Sequence, residues 1–176
     1  MEIRPATADD VEGLGRVHAL SRNAAYTGLV PDQALARITP TSQADHWRAR
    51  LAAQRPPFSI YVATVEGRVE GLALGFGRAR EATLSALHVL PALHGTGAGQ
   101  ALHDRLLADF AGWGCGTAVL WVLDGNERAQ SFYRRNGWVH DGSRASHDIG
   151  GVDVPVLCYR RPVTSANDTP VKPLDE

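Results

Sequence analysis

Apolar residues recur along this chain in two rhythms: three to four residues apart in some stretches, and in short strand-like runs in others. A short strand over Glu2 to Arg4 precedes Thr7-Ala8-Asp9-Asp10, a capping-box pattern, after which Val11, Leu14, Val17 and Leu20 follow at helical spacing. Beyond Tyr26 to Gln33, a second box at Ser42-Gln43-Ala44-Asp45 ahead of Trp47 and Leu51 predicts another helical region. Ile60 to Val65 and Val69 to Phe76 flank Glu66-Gly67-Arg68 and read as a hairpin. A third strand, Thr83 to Leu90, leads into the glycine-rich segment His94 to Gly99 and a helix whose core face is Leu102, Leu106, Leu107 and Phe110. After the strand Ala118 to Leu123, Asn126 caps a short helix on which Ala129, Phe132 and Tyr133 share a face, and Gly137 ends it. Trp138 to His140 and Val154 to Tyr159 predict a closing hairpin, joined by a loop from Asp141 to Asp153.

With 176 residues and 44% hydrophobic content, the chain supports one domain over 1–162, able to bury roughly 70% of its unfolded surface. A tail over 163–176, polar from Thr164 on and carrying two prolines, is expected to be flexible. A net charge of -1 argues against a nucleic-acid footprint, and the two cysteines, Cys115 and Cys158, do not make a disulfide framework. There is no signal peptide and no run of about 18 apolar residues, so a cytoplasmic protein without a membrane span is the expectation. No metal site is expected.

The segment His94-Gly95-Thr96-Gly97-Ala98-Gly99 carries the first chemical signal. A glycine turn opening a helix presents unpaired N–H groups and the positive end of the helix dipole, which suits a phosphate. Two familiar phosphate loops are excluded by spacing. A Walker loop needs Gly-Lys-Ser/Thr, but Gln100 follows Gly99 and the sole lysine is Lys172; the dinucleotide fingerprint needs a glycine where Gln100 or Leu102 stands.

The turn, taken with Asn126 to Gly137, resembles the GNAT superfamily of N-acetyltransferases, which move an acetyl group from acetyl-coenzyme A to an amine. The family's turn is usually Arg/Gln-x-x-Gly-x-Gly/Ala; here it is His94-x-x-Gly97-x-Gly99, with His94 a departure from the commonest residue. The resemblance runs from Ile3 to Arg161. It implies an α/β (α+β) fold: a mixed, mostly antiparallel sheet of six to seven strands with a splayed parallel pair, flanked by helices on both faces. It also implies acetyl-coenzyme A as the cofactor. The pyrophosphate would lie on His94, Gly95, Thr96, Gly97, Ala98, Gly99 and Gln100. The pantetheine arm would pair with main chain near Leu87 and Val89, and would meet Asn126, Ala129 and Tyr133.

By the same resemblance Tyr133 is the general acid beside sulfur; by spacing alone it is a core aromatic next to Phe132. The general base stays open between Glu81, His88 and water. Some family members place a glutamate where Glu81 stands, and a histidine with an ordinary pKa of about 6.5 suits His88 to the role. Strand alternation separates these two side chains onto opposite faces unless a bulge intervenes. For the acceptor, the resemblance points to Tyr26, Leu29 and Trp47 on one side and His147, with Arg144 and Asp148, on the other; Trp47 is also spaced as a core residue. Three readings follow: an acetyltransferase acting on a small-molecule or peptide amine, a non-catalytic acyl-coenzyme A sensor, and a protein or aminoacyl-tRNA acetyltransferase. The third needs a basic groove; a net charge of -1 argues against one, though clustered arginines could still make it. A monomer or a homodimer fits the family equally.

Overall fold

A computed structural model describes residues 1–53, 55 and 57–164. Seven strands form one sheet: β1 (Glu2–Pro5), β2 (Phe58–Val65), β3 (Arg68–Arg78), β4 (Glu81–Val89), β5 (Thr117–Leu123), β6 (Val139–Ile149) and β7 (Val152–Pro162), in the order β1-β2-β3-β4-β5-β7-β6. Five α-helices accompany them: α1 (Val11–Tyr26), α2 (Asp32–Leu35), α3 (Pro40–Ala52), α4 (Ala98–Gly112) and α5 (Glu127–Arg135). All neighbouring strands are antiparallel except β4 and β5, which run parallel. This is the mixed, mostly antiparallel sheet with one parallel pair that the family resemblance implied.

Period-two alternation distributes the core. Ile60 and Val62 of β2 pack with Leu14, Val17 and Trp47 of α1 and α3, whereas Tyr61 and Ala63 pack with Leu102, Leu106 and Phe110 of α4. A third cluster of Val30, Leu35, Ile38, Leu123 and Ile149 seats the connection after α1 against the far end of the sheet. Trp47 is 1% exposed and packs with Leu14 and Val17, as its core spacing expected, while it also lines the cleft described below.

The β4 strand breaks its own alternation. Leu74 lies opposite Ala86 but Gly75 lies opposite Leu84, which leaves Ser85 as an extra residue. Before this bulge Ala82 and Leu84 face α4; after it Leu87 and Val89 do. Even-numbered residues from Ala86 on therefore face α1 and α3, the side that Glu81 faces at the start of the strand. Pairing with β5 covers only Glu81 to Thr83 against Thr117 to Val119, and the two strands part beyond that point.

The two capping signals differ in where their helices begin. The first capping box forms as expected, Thr7 N–H donating to Asp10 Oδ2 at 2.8 Å, and Arg4 clamps the same carboxylate through both terminal nitrogens. The box expected at Ser42 lies one turn too late. Thr39 is extended and Pro40 takes the first helical position, so Thr39 and Ser42 exchange the two capping bonds and Asp45 pairs with Arg48 instead. The expected loop from Asp141 to Asp153 is mostly strand: β6 continues to Ile149 and turns tightly through Gly150-Gly151. As an edge strand with one partner and an exposed outer surface, it pairs through its backbone and needs no apolar pattern. Of the expected tail, Val163 still donates its N–H to Gly116, and residues 165–176 lie outside the described ones.

Gly15 sets the distance between α1 and α3. A Cβ there would stand 2.5 Å from Pro40 O and from Ala44 N, so the two helices touch backbone to backbone. Gly15→Ala is expected to destabilise the protein by about 1–3 kcal/mol through overpacking, read as a lowered thermal midpoint; an unchanged midpoint would show that the helices separate freely.

Candidate active site

Where β4 and β5 part, a cleft of about 1000 Å³ opens between the two helical layers. The glycine turn stands at one end of it. Gly95 and Gly97 have φ of +79° and +91°, and Gly97 is the N-cap of α4 with no side chain capping it. The first intrahelical bond runs from Ala101 N–H to Gly97 at 2.9 Å, so the N–H groups of Ala98, Gly99 and Gln100 precede the helix's own ladder. A Cβ at Gly97 would meet nothing within 4 Å, and the first turn carries no acidic residue. This is a cradle for an anion.

The side chains of the turn play unequal parts. His94, Gly95, Gly97, Gly99 and Gln100 line the cleft, whereas Ala98 is fully buried and Thr96 bonds its own turn at Leu93 O, 2.8 Å away. His94 Nε2 donates to Val89 O at 3.1 Å, and partial burial with Arg128 nearby lowers its pKa. Gln100 spends its amide on Asp104 and Asn136. Arg128 and Arg135 of α5 line the cleft as well, and the sequence reading missed both.

Deeper in the cleft lie Leu87, Val89, Asn126, Ala129 and Tyr133. Asn126 caps α5, its Oδ1 accepting from Ala129 N–H at 3.2 Å. The other end of α5 closes as a Schellman motif: Trp138 N–H reaches Tyr133 O at 3.1 Å and Gly137 N–H reaches Arg134 O at 3.1 Å. Tyr133 sits edge-on to both Phe132 and Trp138. Trp138 Nε1 donates to His103 Nε2 at 3.0 Å, and His103 Nδ1 donates to the exposed Asp104 at 2.9 Å, so a chain of polar contacts running out to the surface orients the Trp138 ring that packs on Tyr133. Burial, with a smaller effect of Tyr26, raises the Tyr133 pKa well above its ordinary value and keeps the phenol protonated.

The candidate bases end up far apart. Glu81 is exposed, does not line the cleft, and pairs with Arg160 at 2.6 Å in the closed part of the sheet. Seven residues of strand separate it from His88, roughly 20 Å. The bulge does place both on one face, but strand length keeps them apart. His88 lines the cleft; burial, and then Arg22, push its pKa down to about 3.

His18 and His88 rings stand 4.7 Å apart, with His46 6.4 Å and Trp47 5.6 Å from His18. Arg22 and Arg50 complete the group. No set of three His, Cys, Asp or Glu side chains among the described residues is placed to hold a metal ion. Tyr26 and His147 line the cleft, the latter 5.9 Å from the ring of Trp121, itself another missed residue. Leu29 does not line it: a Cβ on Gly125 would stand 3.0 Å from Leu29 Cδ2, so Leu29 covers that turn from outside. The missed cluster did leave a trace in the sequence. His18–Arg22 and His46–Arg50 are both i,i+4 pairs, polar neighbours on otherwise core-facing helices.

The Acetyltransferase (GNAT) family model matches residues 25–138. The chain belongs to this family. Uncharacterised N-acetyltransferases of Mycobacterium tuberculosis (strain ATCC 25618 / H37Rv) and Mycobacterium bovis (strain ATCC BAA-935 / AF2122/97) are each 41% identical to it over 90 residues, 51% of this chain. The match spans 58% of the length of those relatives. Among solved structures, PaiA N-acetyltransferase from Thermoplasma acidophilum in complex with coenzyme A is similar with a TM-score of 0.77 at 20% identity, covering 92% of this chain and 98% of that one. The ribosomal-protein-S18-alanine N-acetyltransferase of Escherichia coli is similar with a TM-score of 0.68 at 18% identity, covering 96% and 97%. These two likenesses place this GNAT member's fold.

Two histidines, His18 buried and His88 half-buried, impose a pH dependence on stability. His18 and His88 take up protons in the folded state only well below the ordinary 6.5, so the unfolded chain binds them first and stability falls as pH drops from about 6.5 toward about 3. The loss of thermal midpoint between pH 7 and pH 5 is expected to be smaller in His18→Gln and His88→Gln than in the parent; identical slopes would contradict the assignment.

Proposed function

We propose that this protein is an N-acetyltransferase that moves the acetyl group of acetyl-coenzyme A to a primary amine of a small molecule, amino acid or antibiotic, by direct attack within a ternary complex. The observation that carries this reading is the meeting, in one cleft, of an anion-cradling helix N-terminus and a parallel strand pair that parts beside it. Family membership supports it, as does the fold shared with the coenzyme A complex of PaiA.

The residues present fit such a cofactor. The free amides at the start of α4 suit a pyrophosphate, and Arg128 and Arg135 supply cations at that end. Beyond Thr83, β4 offers main-chain groups near Leu87 and Val89 that β5 does not pair, so an extended arm can bond there as a short pseudo-strand. Asn126 has its Oδ1 committed to the cap, leaving its amide NH₂ to donate into the cleft. Acetyl-coenzyme A, when bound, supplies an activated acetyl group as a thioester.

The chain's own groups then manage protons. The amine nitrogen must arrive neutral, form a bond to the acetyl carbon as the C–S bond breaks, and lose one proton, while the leaving thiolate gains one. Tyr133 holds a proton at its hydroxyl throughout the physiological range, which suits it to donate. His88 lines the cleft uncharged near neutrality and is the candidate acceptor; burial and Arg22 hold its basicity low, so it strengthens as a base only when an anion offsets them. Glu81 is left in an ion pair outside.

Tyr133→Phe is expected to lower kcat about 10 to 10⁴-fold with little change in cofactor affinity, measured by thiol release and calorimetry; unchanged kcat across pH would make Tyr133 a packing residue. Gly99→Val tests the other end. Gly99 has no positive φ, and its Cβ would rest 3.6 Å from Val89 Cγ2, so the fold tolerates a side chain that still crowds the cradle. Calorimetry should show coenzyme A affinity at least ~10-fold weaker, as expected when the backbone of a helix N-terminus can no longer approach a phosphate; normal affinity would place the pyrophosphate elsewhere.

A further inference from the structure

Among the described residues the cleft is lined by four arginines and five histidines and by no aspartate or glutamate, in a chain whose acidic residues slightly outnumber its basic ones. Its arginines fall into two groups. Arg128 and Arg135 sit on α5, Arg128 close enough to His94 to influence its titration. Arg22 and Arg50 sit at the opposite end, on α1 and α3, where both act on His18 and His46.

This second group is unusual in its lack of partners. Neighbouring arginines on the same helices are paired: Arg16 with Glu70 at 2.9 Å, Arg48 with Asp45 at 2.6 Å and Glu12 at 2.9 Å. Among the described residues, Arg22 and Arg50 make no salt bridge and no side-chain hydrogen bond. Arg22 Nε, His18 Nδ1 and Trp47 Nε1 are buried without any partner, although buried polar atoms are rarely left so. Arg22 is steadied only by the Tyr26 ring, 5.5 Å from its guanidinium carbon. Arg22 is half-buried with its Nε shielded from solvent, so a ligand that supplies acceptor oxygens there satisfies a donor the protein leaves unpaired.

We infer that this end of the cleft selects an acceptor carrying a carboxylate beside its amine, as an amino acid does, and that Arg22 and Arg50 bind that carboxylate. The inference rests on the acetyltransferase reading for the amine, and on the unpaired donors alone for the anion. The close approach of α1 and α3 at Gly15 brings the His18–Arg22 and His46–Arg50 pairs together from two helices. Arginine suits the task because its planar fork meets both oxygens of a carboxylate. His88 faces His18 and Arg22 from α1, with His46 and Arg50 of α3 behind them; an anion beside Arg22 offsets the positive field on His88 and makes it a better proton acceptor once the acceptor is seated.

The test uses the full chain with acetyl-coenzyme A and a panel of the twenty L-amino acids, each beside its carboxamide and the corresponding amine lacking the carboxyl group. Thiol release should show at least one acid with kcat/KM ~10-fold or more above both of its neutral counterparts, as expected where unpaired polar groups wait for a partner. Arg22→Gln and Arg50→Gln should abolish that preference chiefly through KM, Arg→Lys should restore part of it, and coenzyme A affinity by calorimetry should stay at the parent value. Equal or better use of the carboxamides, or a preference that survives both Gln variants, overturns the inference. If no amine is acetylated yet an amino acid still binds calorimetrically in an Arg22-dependent manner, the carboxylate pocket stands and the transferase reading fails.

Discussion

The parting of β4 and β5 is the constraint on which the rest of the structure depends. A sheet interior normally satisfies every backbone N–H and C=O, and unpaired main chain there is costly. Here three residue pairs hold the strands together and the remainder of β4 faces open space. The Ser85 bulge allows this by bending β4 away from its neighbour, and it is tolerated because α1, α3 and β3 continue to pack the strand from the other side. The cleft is therefore built from stable elements on all sides, with its vacant hydrogen-bonding groups fixed in place before anything enters.

The same bulge decides which chemistry enters the cleft. It reverses the parity of β4, so that Leu87 and Val89 continue the α4 core while Ala86 and His88 turn toward α1 and α3. His88 thereby joins the buried His18, with the exposed His46 beyond it, along a cleft wall that holds two arginines unpaired among the described residues. Burial and these cations act in the same direction, holding the histidines neutral. At the opposite end the helix dipole and main-chain amides of α4 act without any acidic side chain to oppose them. The cleft is positive at both ends, and the phenol of Tyr133 stands among apolar rings between them.

Much of this was legible because it is local. The Thr7–Asp10 box, the Asn126 cap, the Gly137 terminus and the left-handed Gly97 turn are each decided within four or five residues, and a residue type with the right oxygen or no Cβ is enough to specify them. The apolar rhythms likewise located the core strands, since period two and period 3.6 follow from backbone geometry. Legibility failed where polarity stood in for structure. The β6 strand was hidden because an edge strand exposed along its length shows no alternation, and α3 began earlier than its polar residues implied because Pro40 fixed the first turn.

By itself the sequence determined the anion-cradling turn, the helix that carries Tyr133, and the family to which they point, because caps, turns and periodicity are short-range properties of the covalent chain. Only the tertiary structure decided that Glu81 is an outlying ion pair and His88 a cleft residue, since one bulged residue in β4 and the length of a strand set both. Only it brought Arg22 and Arg50 together, from helices whose contact depends on a glycine elsewhere, and left them without acids among the described residues. Juxtapositions of this kind depend on pairings between residues far apart along the chain, and these are fixed by sheet register and helix packing, which no local pattern encodes.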